Sequence, residues 1–204
     1  MKTLVKICGI CDPGSARVAA DAGADLLGFH FCDSSRRVEP EAVSRMLDGL
    51  GRRPQIVGVF INQPLEEIRQ IADYLDLDWL QLHGSEEPGP AWPRPVMKVL
   101  KVREGSLPDP GPWPDPIMLD SWSADHRGGT GQTWDWERAR ELISRRQVFF
   151  AGGLNPANVA EVVRSYAPHG VDVSSGVESA PRVKNPDLVR AFLAAVRAED
   201  GREG

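Results

Sequence analysis

The sequence lacks the features that mark several large classes of protein. Its 204 residues include only three cysteines and carry a formal net charge of −5. Without a basic excess the chain cannot neutralise a nucleic-acid backbone, so no nucleic-acid partner is expected. No apolar run approaches the ~20 residues that cross a bilayer. Lys6 also interrupts the first apolar stretch, where a signal peptide would be continuous. We therefore expect a cytoplasmic protein without a membrane partner.

The cysteines and histidines are too few and too scattered to predict a metal site. Cys8 and Cys11 have the spacing of a thioredoxin-like redox pair, which stands as an alternative. A metal site on that pair would need two further ligands, and the histidines at positions 30, 83, 126 and 169 form no cluster. Three cysteines form no even-numbered disulfide framework, which suits a reducing compartment. We expect no metal site.

What the sequence does contain is a regular alternation of strand-like and helix-like segments. Short apolar runs predict eight strands, at Leu4–Cys8, Asp25–Phe31, Gln55–Phe60, Trp79–Leu82, Val96–Val102, Ile117–Asp120, Gln147–Ala151 and Gly170–Val173. Apolar residues at helical spacing predict helices at Pro13–Ala22, Pro40–Leu50, Pro64–Tyr74, Trp134–Ser144, Asn155–Tyr166 and Pro186–Ala198. Eight such units predict one α/β domain, residues 1–204, folded as a (βα)8 TIM barrel.

Two connections depart from this alternation because they are rich in proline. Four prolines lie between Ser85 and Pro95, and five more lie between Pro108 and Pro116. Proline removes a backbone donor and clashes with the preceding helical turn. We therefore expect irregular segments in place of the outer helices after strands 4 and 5.

In a TIM barrel the functional side chains lie at the carboxyl ends of the strands. That rule selects Cys8, Arg36, Arg37, Asn62, Gln81, His83, Lys101 and Asp120. Five of them also have a purely structural interpretation. Cys8 could be a small buried apolar residue, and Asp120 could be a hydrogen-bonded cap. His83 could be a packed polar side chain, and the two arginines could be solvated loop charges.

Two glycine-containing loops follow strands 7 and 8. They are Gly152-Gly153, which leads into a predicted helix, and Ser174-Ser175-Gly176. Glycine lets backbone N–H groups converge on an anion, and barrels frequently bind phosphate after strands 7 and 8. The alternative is that the glycines merely form tight turns. The position of both loops favours a phosphate site at Gly152, Gly153, Ser174, Ser175 and Gly176.

Eight short motifs, in order and over nearly the whole chain, resemble the phosphoribosylanthranilate isomerase family. The first four are Lys6-Ile7-Cys8-Gly9-Ile10, Gly23-Ala24-Asp25 through Gly28-Phe29, Val57-Gly58-Val59-Phe60 and Gln81-Leu82-His83-Gly84. The others are Leu119-Asp120, Gly128-Gly129-Thr130-Gly131 with Asp135-Trp136, Gly152 through Val159, and Val171 through Glu178. One such motif is weak, but eight in the family's order are specific.

The resemblance implies a cofactor-free Amadori rearrangement in tryptophan biosynthesis. N-(5-phosphoribosyl)anthranilate would become 1-(2-carboxyphenylamino)-1-deoxyribulose 5-phosphate. By resemblance, Asp120 is the general acid that opens the ribose ring and Cys8 is the general base at C2′. The base must work as a thiolate, and the acid must hold a proton.

The same resemblance implies residues that bind the small-molecule substrate. An arginine in a Ser-x-Arg pattern grips the anthranilate carboxylate, but the loop here is one residue shorter than usual. Alignment on Ser34 and Pro40 selects Arg36, whereas counting from Phe31 selects Arg37. Gln81, His83 and Asp172 complete the expected substrate-binding residues. The chain is expected to be a monomer or a homodimer.

Two other functions compete with this one. A histidine-pathway isomerase performs the same rearrangement on another ribosyl amine, but it uses two aspartates and binds phosphate at both ends of its substrate. Cys8 and a single obvious phosphate site disfavour it. A catalytically silent barrel that binds a sugar phosphate or a protein is the second alternative, and the six tryptophans could supply its partner surface.

Overall fold

Eight parallel strands close into a barrel, each paired with its neighbours in the chain and β1 with β8. The structure is a computed structural model that describes residues 2–89, 91–103, 106–121 and 134–201. The strands are β1 (Leu4–Cys8), β2 (Leu26–His30), β3 (Gln55–Phe60), β4 (Trp79–Leu82), β5 (Val96–Val102), β6 (Ile117–Ser121), β7 (Val148–Phe150) and β8 (Gly170–Val173). The predicted TIM barrel is confirmed.

Helices surround the barrel where the sequence provides caps and apolar faces. They are α1 (Pro13–Asp21), α2 (Pro40–Asp48), α3 (Leu65–Leu75), α4 (Arg140–Ile143), α5 (Val159–Tyr166) and α6 (Pro186–Asp200). The carboxylate of Asp12 accepts a hydrogen bond from the backbone N–H of Ser15 at 2.9 Å, which caps α1 as predicted. Within the described ranges no helix has the length and apolarity needed to cross a bilayer.

The connections after β4 and β5 contain no helix in their described residues, as the prolines predicted. A buried ion pair holds this irregular region against the barrel: the Lys98 ammonium lies 2.7 Å from the Glu86 carboxylate. The same ammonium donates to the carbonyl of Gly84 and lies 5.2 Å from the centre of the Trp113 ring. The contacts of Lys98 thus hold the irregular connection against β5, at a position where a regular TIM barrel has a helix.

Three elements differ from the sequence-based prediction. The predicted helix Trp134–Ser144 is only a 3-10 turn, Trp136–Ala139, followed by the four-residue α4. Helix α5 starts at Val159 rather than Asn155, because the side chains of Asn155 and Asn158 bond to nearby backbone groups and form a turn. Trp122 and the Gly128-Gly129-Thr130-Gly131 motif lie outside the described residues.

The third difference is a hairpin between β8 and α6 that was not predicted. It consists of β9 (Glu178–Ala180) and β10 (Val183–Lys184), which pair in antiparallel fashion. Strands of three and two residues are too short to show a periodic sequence pattern. The hairpin matters for the site because it carries two buried charged residues, Glu178 and Lys184.

Side chains alternate between the inside of the barrel and the surrounding helices. Val5 and Ile7 of β1 belong to the outer core, and so do Val171 and Val173 of β8. The interior holds a separate apolar cluster of Leu26, Val57, Met97, Val99, Met118, Phe149 and Ala151. By the same alternation Cys8, Asp120 and Asp172 face inward, at the carboxyl ends of β1, β6 and β8.

Candidate active site

Polar and charged side chains gather inside the barrel at its carboxyl-terminal mouth. Cys8 ends β1, Asp120 lies next to the end of β6, and Asp172 lies one residue before the end of β8. The strands β1 and β6 therefore place the Cys8 thiol and the Asp120 carboxylate at the same mouth of the barrel. The apolar cluster inside the barrel forms the floor beneath them.

A buried ion pair lies next to the thiol. The ammonium of Lys6, which is fully buried, lies 2.7 Å from a carboxylate oxygen of Asp172. A side chain on Gly28 would place its Cβ 2.8 Å from the Lys6 nitrogen and 2.9 Å from the Cys8 sulfur. Glycine at position 28 therefore leaves room for both groups, which are neighbours. Burial alone would lower the pKa of Lys6, but the Asp172 carboxylate raises it, so Lys6 stays charged.

The surroundings of Cys8 contain groups that raise the pKa of its thiol and groups that lower it. It is buried in a small cluster with Cys32 and Val59, which fits its structural interpretation as an apolar residue. Burial raises the pKa of the Cys8 thiol, and the Asp172 carboxylate raises it further. The ammonium groups of Lys6 and Lys184 lower that pKa but do not cancel the effect of burial. In the free protein Cys8 is therefore a protonated thiol near neutral pH.

A short chain of hydrogen bonds leads from Cys8 toward the surface. The sulfur lies 3.4 Å from Nε2 of His30, and Nδ1 of His30 lies 2.9 Å from the hydroxyl oxygen of Ser34. That hydroxyl also accepts a hydrogen bond from the backbone N–H of Arg36 at 3.1 Å. Burial and nearby cations lower the pKa of His30 to about 3, so its ring is neutral.

Asp120 is paired with a cation rather than isolated. The ammonium of Lys101, on the adjacent strand β5, lies 2.5 Å from the carboxylate of Asp120. The carboxylate is partly exposed to the mouth of the barrel. The ammonium of Lys101 thus lies where it can offset negative charge on the Asp120 carboxylate.

Gln81 and His83 project from the end of β4 and bond to each other. The amide Nε2 of Gln81 donates to Nε2 of His83 at 2.6 Å, so that ring nitrogen is the acceptor. Burial lowers the pKa of His83 well below 6.5, which keeps the ring neutral. The carbonyl oxygen of the Gln81 amide is buried, and no described residue donates to it. This acceptor is therefore available to a ligand inside the barrel.

The two candidate arginines differ sharply in environment. Arg36 is buried, and its guanidinium makes two hydrogen bonds to Glu178, from Nε at 2.7 Å and from Nη2 at 2.6 Å. Its side chain crosses Gly9, where a Cβ would overlap it. Arg37 is exposed, and its Nε lies 3.5 Å from a carboxylate oxygen of Glu39. Only Arg36 belongs to the mouth of the barrel.

Glu178 also binds a second cation. The ammonium of Lys184 lies 2.9 Å from Glu178 and donates to the backbone carbonyl of Ser174 at 2.9 Å. Burial disfavours ionisation of Glu178, but the hydrogen bond from Arg36 and the charge of Lys184 prevail and lower its pKa. The β9–β10 hairpin thus connects Arg36 to the loop that follows β8.

The two glycine-containing loops pack directly against each other. A Cβ on Gly176 would overlap the carbonyl oxygen of Leu154, and a Cβ on Gly152 would overlap the backbone and side chain of Ser121. Gly152 and Gly153 have φ angles of +84° and +71°, which favour glycine. No described residue accepts a hydrogen bond from the backbone N–H of Gly153, Ser175 or Gly176. These donors form a polar surface suited to an anion.

The three cysteines are free thiols, and Cys11 makes its contacts with the carbonyl oxygens of Gly9 and Arg36. Within the described part of the chain no group of three or more His, Cys, Asp or Glu side chains is arranged to hold a metal ion. The site therefore offers acid–base groups and anion donors.

Sequence reasoning missed several residues of this site. Lys6 stood out only as a charge inside an apolar run, although a lysine in an inward-facing strand position was itself a signal. His30 lies near the end of the predicted strand Asp25–Phe31 but was counted among scattered histidines. Glu178 was only part of a family motif and Lys184 was not considered, because their partners are distant in sequence or lie on a hairpin that was not predicted.

Comparison with known proteins gives one consistent result. The model of the "N-(5'phosphoribosyl)anthranilate (PRA) isomerase" family matches residues 5–195. The chain is 43% identical over 194 residues to the N-(5'-phosphoribosyl)anthranilate isomerase of Pelobacter propionicus, covering 93% of each chain. A phosphoribosyl anthranilate isomerase structure from Thermus thermophilus superposes with a TM-score of 0.85 at 35% identity, covering 96% of this chain and 99% of its own.

A second solved structure shows what such a protein binds. It is a phosphoribosyl anthranilate isomerase in complex with reduced 1-(o-carboxyphenylamino)-1-deoxyribulose 5-phosphate. This chain matches it with a TM-score of 0.79 at 32% identity, covering 96% of this chain and 99% of the other.

Proposed function

Because the chain belongs to the N-(5'-phosphoribosyl)anthranilate isomerase family, we propose that the charged mouth of its barrel carries out the family's rearrangement with Cys8 and Asp120. The protein is an isomerase of tryptophan biosynthesis that acts on a small molecule. It converts N-(5-phosphoribosyl)anthranilate to 1-(2-carboxyphenylamino)-1-deoxyribulose 5-phosphate. The observation that carries the assignment of residues is the inward-facing thiol and carboxylate at one mouth, beside free backbone donors.

The first step opens the ribose ring. Asp120 gives a proton to the furanose oxygen as the bond from that oxygen to C1′ breaks, and the nitrogen lone pair forms a C1′=N iminium. The carboxylate left behind accepts a hydrogen bond from the ammonium of Lys101 at 2.5 Å. Lys101 therefore stabilises the negative charge that the proton transfer leaves on Asp120.

The second step moves a proton from C2′. The Cys8 thiolate takes that proton, the C2′–H electrons form a C1′=C2′ double bond, and the C=N electrons return to nitrogen. The resulting enolamine becomes the ketone when its hydroxyl proton is lost and C1′ gains one. The iminium is itself the electron sink, so the residues of this chain need only move protons. Lys6 stabilises the thiolate because its ammonium is next to the sulfur.

Anion-binding groups would hold the two ends of the substrate. Glu178 occupies the Nε and Nη2 edge of Arg36, so Nη1 is left to meet the anthranilate carboxylate. We propose Arg36 rather than Arg37 because Arg37 is exposed and faces Glu39. The backbone donors of Gly152, Gly153, Ser174, Ser175 and Gly176 would bind the phosphate. Asp172 acts through Lys6, and Gln81 and His83 line the space between the two ends.

The cellular location follows from the chemistry of the cysteines. All three are free thiols, including a half-buried Cys11. Free thiols are maintained in a reducing compartment. We propose that the enzyme works in the cytoplasm.

The assignment of acid and base is tested by the fluorescence of the substrate, which is lost on turnover. We expect Cys8→Ala and Asp120→Asn each to lower kcat by a factor on the order of 10² or more. Both variants should bind the reduced product analogue nearly as tightly as the wild type. Cys11→Ala is the matched control and should retain full activity, because that thiol donates to the backbone carbonyl groups of Gly9 and Arg36 and has no assigned part in the reaction. Full activity in Cys8→Ala or in Asp120→Asn would refute the role of that residue.

A further inference from the structure

The base of the proposed reaction must lose a proton in every turnover, and burial makes that loss difficult. Cys8 is buried among Cys32 and Val59, and its thiol holds its proton more tightly than an exposed cysteine does. Once the sulfur has taken a proton from C2′, that proton needs a route away from the sulfur. Among the described residues, a continuous hydrogen-bonded route leads from the sulfur through His30 and Ser34 toward solvent.

We propose that His30 and Ser34 form a proton relay that exchanges the proton of Cys8 with solvent. The inference rests on the proposed role of Cys8 as the base. The distances that carry it are 3.4 Å from the Cys8 sulfur to Nε2 of His30 and 2.9 Å from Nδ1 of His30 to the hydroxyl of Ser34. Ser34 is partly exposed at the mouth, so its hydroxyl can meet a water molecule.

The relay has two end states, and the same hydrogen bonds are satisfied in both. With a thiol, the S–H group donates to Nε2, and the Nδ1–H group donates to the oxygen of Ser34. With a thiolate, the Nε2–H group donates to sulfur, and the hydroxyl of Ser34 donates to Nδ1. In both states the oxygen of Ser34 accepts the backbone N–H of Arg36.

One concerted shift connects these states with every proton accounted for. The proton on sulfur moves to Nε2 as its bond to sulfur breaks, and the proton on Nδ1 moves to the oxygen of Ser34. The original hydroxyl proton of Ser34 passes to solvent water. The ring changes tautomer and never carries two protons, which its environment would strongly oppose. Cys8 and His30 therefore do not form a thiolate–imidazolium pair.

The charged groups around the relay explain why the ring stays neutral. Those that face Cys8 are Lys6, Asp172 and Lys184. Those that face His30 are Lys6, Arg36, Lys184 and Glu178, and His83 lies near enough to be affected by His30. Cations prevail near the ring, and burial adds to their effect. A positive charge on His30 is thus excluded while a negative charge on sulfur is tolerated.

The test separates hydrogen bonding from proton transfer. Glutamine at position 30 can donate to or accept from sulfur but cannot pass a proton along. We expect His30→Gln to lower kcat by about tenfold, in keeping with the size of acid–base effects, with KM changed by less than about twofold. We expect His30→Ala to regain activity as imidazole is added, because free imidazole can occupy the cavity and carry the proton. Wild-type kcat in His30→Gln, or no effect of imidazole on His30→Ala, would overturn the relay.

Two further variants complete the design. Ser34→Ala removes the outer step, together with the hydrogen bonds of that hydroxyl to Nδ1 of His30 and the N–H of Arg36, but keeps the ring itself. It should also lower kcat, which guards against misfolding of the His30 variants. Wild-type kcat in Ser34→Ala would count against the relay. Cys8→Ala, assayed alongside, separates the two proposals. If Cys8→Ala is active, the role of Cys8 as base fails. If it is inactive while His30→Gln has full activity, only the relay fails.

Discussion

At the scale of single residues, the chemistry of the barrel mouth depends on which charge lies beside which reactive group. Lys6 is next to Cys8 and favours its thiolate, whereas burial and Asp172 oppose it. Lys101 contacts Asp120 and can offset the negative charge that remains when the carboxyl gives its proton away. Burial strengthens the interactions around Cys8, so a single substitution there should change the protonation of the thiol.

Gly176 provides a test of the phosphate site at this scale. Gly176→Ala places a Cβ against the carbonyl oxygen of Leu154, so the loop after β8 must shift away from the loop after β7. Loss of one hydrogen bond to a charged group, worth about 1.5–3 kcal/mol, should raise KM for the substrate by about tenfold or more. Steady-state kinetics measure this. Gly51→Ala is the control, because a Cβ there meets open space. An unchanged KM in Gly176→Ala would place the phosphate elsewhere.

At the scale of elements, the irregular and short segments position functional and structural charges that the regular helices do not supply. The β9–β10 hairpin supplies Glu178 and Lys184, which connect the β2–α2 loop to the loop after β8. The irregular connection after β4 is fixed by Lys98 and Glu86 instead of by a helix face. Each segment depends on a buried charge that must keep its partner.

The hairpin predicts a specific kinetic effect for Glu178→Gln. Glutamine keeps the size of the side chain but loses the charge that holds Arg36 and Lys184. Arg36 and the loop after β8 both lose a partner in this variant. Because a hydrogen bond to a charged group is worth about 1.5–3 kcal/mol, KM should rise by roughly tenfold. We expect kcat to stay within a few-fold of the wild-type value. Glu161→Gln, on an exposed pair with Arg164, is the matched control. A fall in kcat alone, at constant KM, would contradict this role.

The irregular connection predicts a stability effect for Lys98→Met. The substitution leaves the Glu86 carboxylate, whose side chain is 4% exposed, without its cation. The free energy of unfolding should fall by about 3–5 kcal/mol, and Lys98→Met with Glu86→Leu should recover most of it. Urea unfolding gives both values. Arg53→Met removes an exposed pair with Asp76 and should cost less than about 1 kcal/mol. Additive losses in the double variant would show that the pair is not coupled.

At the scale of the whole molecule, the sequence predicts the fold almost completely and the site only in part. Alternating apolar runs identified all eight strands, and the prolines identified the two connections without helices. The rule that barrel sites lie at strand ends selected Cys8, Asp120 and both loops that face the mouth. What it could not provide were the partners of those residues. Lys6 with Asp172 and Arg36 with Glu178 are separated by 166 and 142 positions, and no local pattern relates them.

The choice between Arg36 and Arg37 shows the same limit. In the sequence both are loop charges next to each other, and a shortened loop makes the alignment ambiguous. Burial and the bond to Glu178 distinguish them only when β9 is placed beside the loop. The helix predicted at Trp134–Ser144 was also too long, because tertiary context overrides the helical spacing of its apolar residues.

A crystal structure with the reduced product analogue bound would show whether one barrel mouth holds a thiol base and a carboxylic acid on either side of the same ribose. We expect the Cys8 sulfur beside C2′ and the Asp120 carboxyl beside the oxygen released by ring opening. The phosphate should lie on the N–H groups that follow β7 and β8. A ligand bound with either side chain out of reach of its atom, or with its phosphate at another site, would refute these roles.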